Sequence, residues 1–342
     1  MKKVLFALCA MATVASCSKS ELLDVDQEAI TFTNAFINNG TRATDDFTIE
    51  THELFDFKVW ATTQRPDSDE IVPILNEVVV CRPDLVSHWV YPTANTQYWI
   101  PGNTYQFAAA KNYKTVTTTT EDGGVPATFT YDAADQLDLI YAADTRVGLE
   151  AGANDKVAFT FDHLLSKAYF TVDTNQMSGN NTDYTYRVSN ICINNAVKEA
   201  TYTVANGGWW AATDLNNDNV TNYTDQNPLT FGNVNSVKNS NEEYVASKLV
   251  ADQTYTSDYA RLLVPATYGE NNKLNITCTI ETLYGDAVID VQNYNKSIAQ
   301  SFVKGYVYNF VLALKDPGQS IEFTVDAVNE WIPADNTEIP GL

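Results

Sequence analysis

Cys17 is the residue whose position most clearly predicts a chemical modification. Lys2 and Lys3 precede an apolar run from Val4 to Val14, and the small residues Ala15 and Ser16 lead directly to the cysteine. The apolar run is too short to span a bilayer core, so residues 1–16 are predicted to be a removable signal peptide. The cysteine at the cut resembles a lipobox, in which it becomes the acylated first residue of an exported lipoprotein. An ordinary secretory signal with a coincidental cysteine is the alternative.

A second spacing suggests calcium chemistry. Asp214, Asn216 and Asp218 occupy positions 1, 3 and 5 of a calcium-loop pattern, and Asp225 occupies position 12. Alternating oxygen side chains allow one loop to wrap around a hard cation. Asn219 replaces the usual glycine at position 6, and an aspartate stands where a bidentate glutamate is usual. A flexible Asn/Asp hairpin loop is therefore the favoured interpretation, with calcium as the weaker one.

No set of residues has the spacing of a catalytic site. The three histidines, His52, His88 and His163, are far apart, and no HExxH pair, nucleophile elbow or phosphate-binding glycine loop is present. His163 lies in an alternating strand pattern, which favours a hydrogen-bonded structural histidine over a general base. The sequence thus predicts a protein that is not an enzyme and needs no cofactor.

Charge and cysteine content limit the partners. The chain has 21 Lys and Arg against 43 Asp and Glu, a formal net charge of −22. Because so acidic a surface repels phosphate backbones, we expect no nucleic-acid partner. Beyond the signal and Cys17, the remaining cysteines are Cys81, Cys192 and Cys278. They form an odd set without CxxC spacing, which favours free thiols over a disulfide framework or a zinc site.

The elements that would position these residues are predicted to be β-strands. Aromatic residues, Thr and Val are frequent, long helical periods are scarce, and Asn/Gly/Asp turns separate short segments. Strand patterns are expected at 30–36, 54–61, 78–81, 89–100, 104–110 and from 157 onward. The pattern predicts an all-β protein with two β-sandwich domains in tandem. We place the signal at 1–16, an acidic tether at 17–28, and the two domains at 29–156 and 157–342.

The two terminal strands and the loop after the first carry further predictions. Ile30, Phe32 and Phe36 share one face with period two, and the polar segment after them contains Arg42 and Ala43. Near the C-terminus the alternation is regular, and this strand is interpreted either as an ordinary edge strand or as one donated to another subunit. Its apolar face would be formed by Ile321, Phe323, Val325, Ala327 and Trp331.

These features together resemble the fimbrillin-like proteins, the lipoprotein precursors of type V pili. The most specific part is the block Phe161-Asp162-His163-Leu164-Leu165-Ser166-Lys167, which resembles the family's F-x-H-x-L-S-K pattern. Shorter segments in the same order add to it: Asp138 to Ala142, Leu262 to Pro265, Gly305 to Phe310 and Val325 to Trp331. The resemblance extends over most of the chain after the signal.

The resemblance implies a fold and an assembly mechanism. The fold would be two transthyretin-like, Greek-key sandwich domains, and the protein would be a fimbrial subunit with a role in cell adhesion, anchored by lipid to the outer membrane. An Arg-specific protease would cut between Arg42 and Ala43 and release the Ile30–Phe36 strand. The C-terminal strand of a neighbouring pilus subunit would then fill the groove. Whether this chain is a stalk, tip or anchor subunit stays open.

The tryptophans suggest a different function. Trp89, Trp99, Trp209 and Trp210 could stack on sugar rings, which would make the chain a monomeric surface lipoprotein that binds glycans. In β-sandwiches such aromatic residues more often pack in the core. Glycan binding is therefore the alternative to the pilus subunit.

Overall fold

The computed structural model of the chain describes residues 28–37, 41–42, 54–82, 89–120, 123–177, 183–211, 220–316 and 321–330. Nearly all regular structure in these ranges is β, which confirms the all-β prediction. Three short 3₁₀ turns, at Thr93–Asn95, Ala133–Asp135 and Ala205–Gly207, are the helical elements of the described ranges. No helix in these ranges has the length and hydropathy required to cross a membrane.

The strands fall into a first and a second series along the chain. The first series is β1 (Phe32–Ile37), β2 (Thr41–Arg42), β3 (Asp56–Gln64), β4 (Ile71–Cys81), β5 (Thr104–Lys111), β6 (Thr115–Thr120), β7 (Gly123–Asp132), β8 (Ile140–Val147) and β9 (Val157–His163). The second begins with β10 (Ser166–Gln176), β11 (Tyr184–Ile193), β12 (Val197–Thr203), β13 (Trp209–Trp210), β14 (Thr221–Asn222), β15 (Leu229–Gly232), β16 (Ser236–Lys238) and β17 (Tyr244–Ala246). It ends with β18 (Thr254–Thr256), β19 (Arg261–Leu263), β20 (Thr267–Tyr268), β21 (Leu274–Tyr284), β22 (Ala287–Ile298), β23 (Gln300–Ser301), β24 (Tyr306–Lys315) and β25 (Glu322–Glu330).

A seven-stranded sheet in the order β2-β1-β9-β8-β5-β3-β4 dominates the first half of the chain. Strand β9 shows why its sequence forms such a sheet. Val157, Phe159, Phe161 and His163 are buried while the residues between them are exposed, which is the period-two pattern of a strand with one face in the core. The apolar face of this sheet forms one core cluster, and most of the second half of the chain shares another.

The C-terminal half contains two facing sheets, β18-β10-β24-β25 with β19 beside β10, and β15-β11-β21-β22. Phe170 on β10 lies between them, with its ring centroid 4.7 Å from that of Phe231 on β15 and 4.7 Å from that of Phe310 on β24. Strands β25 and β22 are each the outermost strand of their sheet, so the C-terminal strand of the described chain lies at a sheet edge.

Strand pairing crosses the predicted domain boundary at residue 157 in two places. Strand β9 lies wholly beyond the boundary but pairs with β1 and β8 of the first sheet. Strand β7 pairs with β12 of the second half, from Glu199↔Asp132 to Thr203↔Thr128. The division into 29–156 and 157–342 thus stays a prediction. Any domain boundary must be consistent with the pairing of strands from both sides of residue 157.

One predicted strand is wrong. Residues 89–100 form no named strand, because the described chain has a 3₁₀ turn at Thr93–Asn95 and isolated bridges at Val90 and Tyr98. Pro92 precedes the turn, and proline has no N–H for a strand ladder. This loop instead packs its aromatic residues over the first sheet.

Candidate functional site: the N-terminal edge strand and its groove

Strand β1 lies near the edge of the seven-stranded sheet. It pairs in parallel with β9, from Phe32↔Val157 to Ile37↔Phe161, and on its other side only with the two-residue strand β2. A register shift interrupts the β9 pairing between Thr33 and Phe36. The strand that the sequence predicts to be displaced is therefore bordered by one long partner strand, with nothing but a two-residue strand beyond it in the described chain.

The apolar side chains of this segment are deeply buried. Ile30 is 0% exposed and Phe32 is 2% exposed. The Phe32 ring lies 5.4 Å from the Tyr91 ring, 5.9 Å from Phe159 and 6.5 Å from Phe107, measured between centroids. Burying a side chain of this size contributes about 1.5–3 kcal/mol. Ile30 and Phe32 belong to one apolar cluster, and we call the part of it that surrounds them the β1 groove, formed by Tyr91, Trp99, Phe107, Phe159 and Val157.

Three hydrogen bonds to backbone groups attach the start of the segment, residues 28–30, to the 91–99 loop. The Ile30 N–H donates to the Gln97 carbonyl at 2.8 Å, and the Trp99 N–H donates to the Glu28 carbonyl at 2.9 Å. The Tyr91 hydroxyl donates to the Ile30 carbonyl at 2.8 Å. Burial raises the pKa of this Tyr91 hydroxyl, which keeps it protonated as a donor.

A carboxylate fixes the segment to the loop between β8 and β9. Glu28 Oε2 accepts from the Gly152 N–H at 3.0 Å, from the Asn154 N–H at 3.3 Å and from Asn154 Nδ2 at 2.9 Å. These hydrogen bonds, the one from the Asn154 side chain foremost, lower the pKa of Glu28. No sequence pattern predicts this clamp, because Glu28 and Asn154 are far apart in the chain and neither belongs to a motif.

Arg42 lies in the hairpin after β1. The two residues of β2 pair with the end of β1, Ile37 with Thr41 and Phe36 with Arg42. Ala43, the residue after Arg42, lies outside the described residues. In the chain the predicted cleavage site thus comes directly after the strand that it would release.

The C-terminal candidate donor forms β25, the edge strand next to β24. The pairing runs antiparallel from Tyr306↔Glu330 to Ala313↔Glu322, and it places Ala327 opposite Tyr308. Ile321, Phe323 and Val325 are partly buried against the core, while Glu322 and Thr324 are exposed, as the alternation predicts. Trp331 lies outside the described residues.

Two further predicted sites lie wholly or mostly outside the described residues. Cys17 is outside them, as are Asp214, Asn216 and Asp218 of the calcium-loop pattern. Asp225, its fourth member, borders a polar depression with Asn194, Asn195, Asn275, Thr277 and Asn295. In the part of the chain that the structure describes, no three His, Cys, Asp or Glu side chains gather in a way that could hold a metal ion.

His163 has a structural setting. Its Nδ1 lies 2.6 Å from Asp138 Oδ2, and both residues are buried, at 6% and 3% exposure. Asp138 belongs to the Asp138-to-Ala142 segment and His163 to the Phe161–Lys167 block, so two of the sequence motifs meet in one polar pair. This agrees with the interpretation of His163 as a hydrogen-bonded core residue. The sequence did not identify its partner.

The tryptophans mostly face the core. Trp99 and Trp210 are buried, and Trp210 Nε1 donates to the Leu164 carbonyl at 2.6 Å. Trp89 packs against Phe57 with 4.8 Å between ring centroids, whereas Trp209 is 52% exposed. Of the four residues considered for sugar stacking, one therefore presents a largely free aromatic face.

Comparison with known proteins places this arrangement in a family. The family model described as fimbrillin-like matches residues 41–331. A fimbrial protein of Bacteroides vulgatus has a similar solved structure, with 17% identity, a TM-score of 0.60, and coverage of 89% of this chain and 99% of that one. A candidate cell adhesion protein of Bacteroides ovatus is similar at 16% identity and a TM-score of 0.52, with 91% and 99% covered. No curated protein matches the sequence. The family match extends over most of the chain, and the chain belongs to the fimbrillin-like family.

Proposed function

We propose that this chain is a structural subunit of a cell-surface fimbria that polymerises by strand exchange after proteolysis. It is exported as a lipoprotein acylated on Cys17 and anchored in the outer membrane. An Arg-specific protease cuts between Arg42 and Ala43, and the segment ahead of the cut leaves the β1 groove. The C-terminal strand of another subunit fills the groove, and the resulting fibre serves adhesion.

The observation that carries this proposal is a contrast between side-chain burial and covalent connection at β1. Its segment is deeply buried, but a single peptide-bond cut would separate it from the later strands. Ile30 and Phe32 are inserted into the β1 groove, yet β1 is joined to β3 and to every later strand of the described chain through Arg42. One cut there converts an intramolecular strand into a separate peptide.

Loss of that peptide would leave an unstable surface. The β9 edge would expose unpaired N–H and C=O groups, and the rings of Tyr91, Phe107 and Phe159 would contact water. Such an edge binds an added strand through main-chain hydrogen bonds, while alternate side chains enter its pockets. The exposed groove thus supplies the driving force for assembly.

The proposal is tested with the chain from Ser18 onward, treated with an Arg-specific protease. Denatured mass would report loss of residues 18–42, and sizing with electron microscopy would report filaments. The matched control is Arg42→Lys, which keeps the positive charge but is not a substrate for Arg-specific cleavage. We expect ladders and filaments from the unchanged chain and monomers from the control.

Two outcomes would contradict the proposal. A chain that is not cut at Arg42 would not be matured in this way, which would favour an uncut anchor subunit. A chain that is cut there but stays monomeric would favour a tip adhesin or a glycan-binding lipoprotein, and titration with polysaccharides while following tryptophan fluorescence would then separate those two.

A further inference from the structure

The chain carries two near-copies of one short sequence, at the two strands that the proposed exchange would interchange. Ile30-Thr31-Phe32-Thr33 enters β1, and Ile321-Glu322-Phe323-Thr324 enters β25. The position that differs is solvent-exposed in both strands, at Thr31 and at Glu322. The two apolar side chains of each copy, Ile30 with Phe32 and Ile321 with Phe323, are identical, and so is the threonine that follows them.

The two copies differ in how completely they are buried. Ile30 and Phe32 have almost no exposed surface. Ile321 and Phe323 are only partly buried, and the Phe323 ring lies 6.1 Å from Phe310 and 6.5 Å from Phe170. Phe32 is surrounded by three aromatic rings at 5.4–6.5 Å. The same side-chain pair would thus be buried more deeply in the β1 groove than it is at its own edge.

The C-terminal copy also suits β9 over a longer distance. The pairing of β1 with β9 loses its register between Thr33 and Phe36. The C-terminal strand keeps strict alternation through Phe323, Val325 and Ala327, and β9 buries Val157, Phe159 and Phe161 with the same period. Residues opposite each other on paired strands face the same side of a sheet, so this strand can pair with β9 without a bulge.

We infer that the donor is residues 321–327 of a second copy of this chain, bound parallel to β9 with Phe323 opposite Val157, in the position of Phe32. Val325 then lies opposite Phe159 and Ala327 opposite Phe161. This inference rests on the proposed function and specifies its partner and register. It makes the chain complementary to itself, as a subunit that repeats along a fibre must be.

The register is tested by cysteine cross-linking between molecules. Ala158 and Thr324 are both exposed. In the uncut chain Thr33 lies opposite Ala158, and in the proposed register Thr324 takes the position of Thr33 and becomes the direct neighbour of Ala158. Chains carrying Ala158→Cys are mixed with chains carrying Thr324→Cys, cut with the Arg-specific protease and oxidised. Peptide mass spectrometry identifies the linked cysteines and separates them from those at 81, 192 and 278.

Matched pairs calibrate the experiment. Thr33→Cys with Ala158→Cys in one uncut chain is the positive control, since these residues are paired in the structure. Ala158→Cys mixed with Asp326→Cys tests a register displaced by two residues. We expect at least tenfold more product from 158 with 324 than from 158 with 326, and only after cleavage.

The outcomes distinguish this inference from the proposed function. Filaments that lack the 158–324 link, or that link 158 to 326, would overturn the register while leaving strand exchange intact. Cut chains that form no polymer would contradict strand exchange, and the register with it.

Discussion

The two terminal strands of this protein are held by different forces. Strand β1 has a short, interrupted ladder with β9, but Phe32 at its start and Ile30 just before it have almost no exposed surface. Strand β25 has a long antiparallel ladder with β24 but buries Phe323 and Val325 only in part. Strand β1 is thus held mainly by side chains in a specific groove, and β25 mainly by backbone hydrogen bonds. Backbone hydrogen bonds can form again at any sheet edge, whereas a groove accepts only matching side chains.

The largest effect expected from this contrast is that of Phe32→Ala. Its ring contacts three aromatic side chains in a closed environment, so truncation leaves a cavity as well as removing apolar burial. We expect the free energy of unfolding of the uncut chain to fall by about 3–5 kcal/mol, measured by urea denaturation. A loss below about 1 kcal/mol would mean that the β1 groove does not hold this ring tightly.

Phe323→Ala is the counterpart on the other strand. Because the side chain is partly buried and packs on two rings, the loss should be about 1–3 kcal/mol in the same urea experiment. If this loss equalled or exceeded that of Phe32→Ala, the contrast between the two strands would be wrong. Under the proposed exchange, the same substitution should also suppress filament formation after cleavage.

A smaller effect is expected from Tyr91→Phe, which removes the hydroxyl that donates to the Ile30 carbonyl. One hydrogen bond of this kind contributes about 0.5–1.5 kcal/mol to stability. Tyr98→Phe in the same loop is the matched control, because Tyr98 is 43% exposed, and it should change stability by no more than about 0.5 kcal/mol. If the two variants lost equal stability in urea denaturation, the hydrogen bond from Tyr91 to Ile30 would not contribute to holding the segment in the groove.

The smallest effect is the pH dependence of the Glu28 clamp. Hydrogen bonding lowers the pKa of Glu28 from its ordinary value of 4.5, so its stabilising contribution is complete above that pH and is lost as the pH falls through the folded value. We expect the Gly152 and Asn154 amides to exchange faster in Glu28→Gln than in the unchanged chain at about pH 7, where the carboxylate is ionised. At a pH well below the folded pKa the two proteins should converge. A difference that persists in acid would show that ionisation of Glu28 does not matter.

The sequence was a good guide to individual strands and to which of their residues face inward. Alternation identified the strands that begin near Ile30, Val157 and Ile321. Among the described side chains, those of Ile30, Phe32, Val157, Phe159 and Phe161 are buried as the alternation predicts. It failed at residues 89–100, where apolar and aromatic residues suggested a strand and the chain forms a loop over the groove. Apolar residues cover a core from a loop as well as from a strand, and the pattern alone does not distinguish the two.

The β class and the resemblance to the fimbrillin-like family could be predicted without a structure, because period-two alternation and short motifs are local properties of the chain. The folded structure was needed to show which strands pair and which rings line the β1 groove. It was also needed to show that Glu28 binds Asn154 and that Asp138 binds His163. Local patterns do not reveal these contacts because every strand offers the same backbone donors and acceptors to any neighbour. The choice among neighbours depends on how all the side chains pack together, and that is a property of the whole fold.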